Sequence, residues 1–81
     1  MGYTVYILQS KKTSRYYIGS TADVGRRLFE HNSGKSKSTR NRGPYVLVYV
    51  EDFRTKQEAY RREMQIKRYK GGEAFKNLLK S

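Results

Sequence analysis

The sequence predicts an α+β fold: a small, mainly antiparallel three-stranded sheet flanked by helices, in the order β-β-α-β-α-α. Three observations predict it. Residues 3–9 and 15–21 are rich in Tyr, Ile, Val and Thr and enclose the polar Lys11-Lys12-Thr13-Ser14, which has the composition of a hairpin turn. Two later stretches, 24–32 and 56–69, carry helix caps and helical spacing of apolar residues. Between them residues 45–50 form an unbroken apolar run of strand length.

Each element has a local reason. The second strand is more polar than the first, which suits an edge position. If Gln9 faces Ser14 across the turn, Tyr6 lies directly opposite Tyr17 and both phenols project from one face, since a slip of one residue would separate them. Asp23, or Thr21 before it, can cap the first helix; Val24 and Leu28 form its apolar side and Ser33-Gly34 ends it. Gly25 weakens that helix by ~1 kcal/mol relative to Ala. Residues 34–44 read as a loop with four positive charges and no negative one. The apolar run at 45–50 is expected to be a strand covered on both faces. Thr55 and Glu58 form a capping-box signature, Gly71-Gly72 breaks the second helix, and Phe75, Leu78 and Leu79 give a short amphipathic third one.

Length and charge bound the function. With 81 residues we expect one compact domain, 1–81, in which every large apolar residue is first a core candidate. There is no cysteine, so disulfides and thiolate metal sites are excluded. No apolar run approaches a membrane span and the first residues lead straight into a strand pattern, so a soluble, cytoplasmic protein is expected. Eighteen Lys and Arg against seven Asp and Glu leave +11, a charge that attracts a polyanion, nucleic acid above all. A membrane surface fits less well, because no helix joins its basic residues to a broad apolar face.

The order Val-Tyr-Ile-Leu, Tyr-Ile-Gly-Ser-Thr, Arg27-Leu28 and His31-Asn32 resembles the GIY-YIG nuclease superfamily, above all its small stand-alone bacterial members. The resemblance runs from Tyr3 to about Leu79. It implies that the tyrosine at Tyr6 deprotonates the attacking water and that Tyr17 lines the same site. A phenol with pKa near ~10 is a poor base unless cations stabilise its anion. Arg27 would hold the scissile phosphate, and His31, four residues on and on the same helix face, would hydrogen-bond a tyrosine hydroxyl or the water. Arg26 is about a hundred degrees round the helix, and Leu28 fixes the match on Arg27.

Glu63 interrupts the helix face that Ala59 and Ile66 turn to the core. Two readings are open. It pairs with a neighbouring cation, Arg62 or Lys67; or, as the resemblance implies, it is the sole carboxylate ligand of one divalent cation, Mg²⁺ or Mn²⁺. Such a site would need Tyr6, Tyr17, Arg27, His31 and Glu63 to line one concave surface; a Glu63 on the opposite side of the sheet from Tyr6 would end the catalytic hypothesis and leave the three-stranded fold standing. The first tripeptide reads Thr-Val-Tyr in place of Gly-Ile-Tyr, which keeps the tyrosine. Family nucleases also carry a later asparagine where this chain has Phe75, with Asn77 two residues late, so no role is carried over to it.

The resulting expectation is a metal-dependent DNA endonuclease of repair or recombination, contacting phosphates through Lys35, Lys37, Arg40 and Arg42 and along Arg61, Arg62, Lys67 and Arg68. A partner protein would supply specificity, since superfamily nucleases generally borrow it from an attached targeting domain. The alternative is a non-catalytic module binding DNA or RNA through the same basic surface.

Overall fold

The computed structural model describes residues 2–34, 43–69 and 72–80. The order is β1 (Tyr3–Ser10), β2 (Tyr16–Thr21), α1 (Val24–Asn32), β3 (Tyr45–Phe53), α2 (Lys56–Tyr69) and α3 (Glu73–Lys80), as the sequence predicts. The strands form one antiparallel sheet in the spatial order β2-β1-β3. β1 is central, so Val5, Tyr6, Ile7 and Leu8 are buried on both faces.

The two faces carry different layers. Val5 and Ile7 point to Ala59 and Ile66 of α2 and Phe75 of α3. Tyr6 and Leu8 point the other way, to Tyr45, Tyr17 and the Val24 and Leu28 side of α1. The period of two along β1 thus divides the core into an α2/α3 layer and a smaller α1 layer.

Two expectations require correction. The hairpin pairs Gln9 with Tyr16, so Tyr6 faces Gly19 and Tyr17 faces Leu8. The turn is longer than the pairing of Gln9 with Ser14 assumes. The Ser10 hydroxyl accepts from the Lys12 and Thr13 amides, the Ser10 amide bonds the Arg15 carbonyl, and Ser14 takes a positive φ of 63°. The register moves by two residues, an even step, so Tyr6 and Tyr17 still share a face. The second correction concerns the apolar run. β3 is an edge strand paired only with β1, and Leu47, Val48 and Val50 are 40%, 36% and 47% exposed. Its apolarity is broken in phase by a bulge: Ile7 pairs with Tyr49 and Leu8 with Leu47, leaving Val48 unpaired. The doubly covered strand is β1, whose Thr4 and Gln9 make it look less apolar.

The caps form as read. Asp23 accepts from the Arg26 amide at 3.0 Å, while the Thr21 hydroxyl accepts from the Asp23 amide. Thr55 and Glu58 exchange bonds in a capping box. Asn32, the last residue of α1, accepts from the Tyr45 amide and donates to the Tyr45 carbonyl, at 2.6 and 3.1 Å. That pair of bonds fixes the end of α1 against the start of β3.

Candidate active site

The site grows from the α1 layer. Tyr6 leaves the central strand and leans across β2 over Gly19. A Cβ placed on Gly19 would lie 2.6 Å from the Tyr6 hydroxyl oxygen, so only glycine leaves room for the phenol there. The Tyr17 ring lies beside it, stacked at 26° with centroids 6.4 Å apart. From α1, His31 enters this group fully buried, its ring 4.6 Å from that of Tyr17 and its Nε2 3.2 Å from the Tyr6 hydroxyl. Tyr45 closes the far side of the imidazole, with a centroid separation of 6.2 Å. Four aromatic side chains from β1, β2, α1 and β3 therefore meet around one phenol and one imidazole.

Arg27, one turn before His31, sets its guanidinium against the Tyr6 hydroxyl and bonds Glu30 through Nη1 at 2.8 Å. Glu30 also pairs with Arg26 at 3.4 Å, so one carboxylate steadies both cations. Arg27 remains a third exposed, so its guanidinium is within reach of solvent.

Electrostatics in the group oppose one another. Burial raises the Tyr6 phenol above its ordinary pKa; Arg27 pulls it down, and the charges of Tyr17 and Glu63 push it up. Burial wins, and the phenol stays protonated at neutral pH. Burial and the Arg27 charge lower the His31 pKa, with Glu30 opposing them, so the imidazole is neutral. A neutral imidazole nitrogen facing a protonated phenol is a proton acceptor facing a donor, when the ring proton sits on Nδ1.

Glu63 comes from the other layer. α2 packs on the Val5–Ile7 face, and Glu63 sits on its inward side between Ala59 and Ile66. Its Oε1 accepts from the Ser20 hydroxyl at 2.7 Å, and its Oε2 is 2.8 Å from the Lys67 ammonium. Ser20 lies next to Gly19 on edge strand β2 and points to the α2 face, where it pairs with Val5. The expectation of one shared surface is thereby corrected. Tyr6, Tyr17, Arg27 and His31 gather on the α1 face over Gly19, whereas Glu63 lies on the opposite, α2 face and bonds the next residue, Ser20. This placement speaks against the five residues acting as one concave catalytic surface. The Glu63 charge still acts on the Tyr6 phenol. Because β2 is an edge and residue 19 has no side chain, the strand between them is thin.

Of the two open readings for Glu63, the partner Lys67 is present, and Arg62 is not used. Arg62 instead binds Glu51 through Nε at 3.0 Å and Gln65 through Nη1 at 2.9 Å. Arg61 and Arg68 lie exposed on α2. Lys35, Lys37, Arg40 and Arg42 lie outside the described residues. Phe75 is core, edge-on to Tyr16 at 4.9 Å, while Asn77 is on the exposed side of α3. Among the described residues no three His, Cys, Asp or Glu side chains cluster as a metal cage, and no helix is long and apolar enough to cross a membrane. A carboxylate flanked by a hydroxyl fits a hydrated Mg²⁺ or Mn²⁺ ion, which needs few protein ligands.

Sequence reasoning missed Ser20, Gly19 and Asn32 as working parts. Gly19 was legible as a motif glycine, but the reason for it, clearance under Tyr6, depends on the true register. Ser20 and Asn32 carry no signal apart from their neighbours in the fold.

The catalytic-domain model of the GIY-YIG family matches residues 2–76. A UPF0213 protein of Staphylococcus haemolyticus is 45% identical over 75 residues, 91% of this chain and 90% of that protein. One from the archaeon Halobacterium salinarum is 47% identical over 64 residues, covering 78% and 82%. The solution NMR structure of a UPF0213 protein from Bacillus halodurans shares 46% identity and a TM-score of 0.51, over 84% of this chain and 72% of that one.

Proposed function

This chain belongs to the GIY-YIG catalytic-domain family, and from that premise we propose that it is a metal-dependent endonuclease hydrolysing phosphodiesters in DNA. The observation that carries the reading is the Tyr6 hydroxyl held between the Arg27 guanidinium and the neutral His31 imidazole, over a glycine that leaves it room.

In this arrangement Arg27 receives the scissile phosphate and opposes the charge that builds on its oxygens during attack. The water to be activated hydrogen-bonds the Tyr6 oxygen. A free Tyr6 phenolate is disfavoured, because burial raises the phenol's pKa above ~10. The proton therefore moves in relay: the water gives one to Tyr6 as Tyr6 gives its own to His31 Nε2. The oxygen–phosphorus bond forms, the bond to the leaving oxygen breaks, that oxygen takes a proton from solvent water, and the imidazole ends as imidazolium until it returns its proton to solvent. Burial first and the Arg27 charge second keep His31 neutral, and the phosphate's negative charge offsets the second of these. Tyr17 stacks against Tyr6 and His31 and fixes both rings. Glu63 would hold the divalent cation, which supplies Lewis-acid stabilisation of the phosphate and leaving oxygens. Arg61 and Arg68, with Lys35, Lys37, Arg40 and Arg42, are proposed to contact flanking phosphates.

The test is cleavage of branched, nicked, single-stranded and duplex DNA with Mg²⁺ or Mn²⁺, with RNA controls, by the wild type and Tyr6→Phe. Cleavage by the wild type and a loss of ~10²-fold or more in the variant is expected, at unchanged affinity. If no substrate is cut with either metal while nucleic acid is still bound, the chain is a binding module. The position of Glu63 on the α2 face, across the sheet from Tyr6, and its bonds to both Ser20 and Lys67 are the observations that favour that second reading.

A further inference from the structure

Lys67 belongs to neither the family motif nor the α1-face cluster, yet it makes the ion pair that matters to the site. Its ammonium is 2.8 Å from Glu63 Oε2, while the other oxygen is anchored by Ser20. The carboxylate is only 13% exposed and the lysine is 46% exposed, so the open side of Glu63 is the side the lysine occupies. A carboxylate on the packed face of a helix needs a counter-charge when no other cation is present. One turn C-terminal to it, Lys67 is placed to supply that charge.

We infer that Lys67 is the resident cation of the Glu63 site: a positioning residue that neutralises the carboxylate at rest and must swing out before a divalent cation binds. This rests on the reading that Glu63 is the cation ligand. Ser20 holds Oε1 throughout, so the exchange takes place at Oε2 alone, one ammonium leaving as one hydrated divalent ion arrives. The mobile partner is the right one for it. Lys67 is a flexible, half-exposed chain that loses little on reaching water, whereas Ser20 sits in the sheet. Cation affinity is thereby lowered by the fraction of time the pair is closed.

The experiment measures Mn²⁺ binding without nucleic acid, from paramagnetic broadening of the Ser20 and Glu63 amide signals in a ¹⁵N-labelled protein. Lys67→Met should bind about two- to five-fold tighter than wild type, the upper part of the range for solvent-accessible ion pairs, because Glu63 is the less exposed partner. Lys67→Arg, which keeps a cation beside Oε2, should stay near wild type. Lys56→Met removes the same charge ~10 Å along the helix, beyond the ~8 Å screening length at 0.15 M salt, and should change nothing. Equal affinities for wild type and Lys67→Met, with Glu63→Gln abolishing the broadening, would overturn the role of Lys67 and leave Glu63 as the ligand. Broadening that persists unchanged in Glu63→Gln, or none in any protein, would overturn both.

Discussion

Among the described residues two clusters of tyrosine, arginine and glutamate stand out, one on each face of the sheet, and they behave differently. On the α2 face Tyr49 donates to Glu51, and Arg62 spends Nε and Nη2 on Glu51 and Nη1 on Gln65. On the α1 face Tyr6 meets a neutral imidazole, and Arg27 divides itself between Glu30 and the phenol. The first cluster is closed: each charge has its complement in the protein. In the second the phenol faces an acceptor able to take its proton, and a phosphate would add charge of the sign that both Arg27 and an imidazolium require. The same three residue types thus make a brace in one place and, on the proposed reading, a reaction centre in the other. What separates them is the partner of the phenol.

The widest separation should appear in turnover. Arg27→Ala is expected to lower DNA cleavage by ~10²- to 10³-fold per folded molecule. Arg62→Ala should leave it within about three-fold once the folded fraction is matched by circular dichroism. Equal losses would erase the distinction.

Gly19→Ala probes the clearance that the brace lacks. The new methyl would meet the Tyr6 hydroxyl at 2.6 Å, and an overpacked site of this kind costs ~1–3 kcal/mol. Urea denaturation should show that loss, and adding Tyr6→Phe should recover part of it, because the clashing oxygen is gone.

On stability alone the order of the clusters reverses. Glu51→Gln strips the Arg62 pair of its charge and should cost ~1 kcal/mol or less, since both side chains are partly solvated, at 22% and 30% exposure. Glu30→Gln, on an i,i+3 pair of a surface helix, should cost less than Glu51→Gln by the same measurement.

The smallest effect is a pH slope. The His31 pKa is depressed in the fold, from burial first and Arg27 second. The unfolded chain therefore binds a proton that the folded one resists, so the stability given by the neutral ring is complete above pH ~6.5 and is lost as pH falls toward the folded value. His31→Asn should flatten the dependence in that window. The Tyr49 cluster contains no histidine and should contribute no slope there.

How much of this was legible depends on range. The strands, caps and helix ends follow from residues within a few positions of one another, and all six elements appear in the order read. Tyr6 and Tyr17 sharing a face survived a misjudged turn only because the error was even. The hidden side chain there is Ser10, whose hydroxyl lengthens the turn by accepting two amides. The burial of residues 45–50 was misread because an apolar run does not tell whether a strand lies at the centre or the edge; that is decided by which strand pairs on both sides. The Arg27–His31 spacing placed both on one helix face, and in the fold both side chains approach Tyr6. The layer from which Glu63 approaches was not legible, since helical periodicity shows that it points inward but not toward which face.

The unpaired residue in β3 has a consequence for how copies of the chain meet. An edge of nine residues bearing exposed Leu47 and Val50 would, if evenly pleated, offer a ladder onto which a neighbour's strand could lay itself. Val48 interrupts the spacing of that ladder in the middle, so an incoming strand finds matched donors and acceptors for only half its length. Deleting the one valine would even out the edge and turn an apolar margin into a template for self-association.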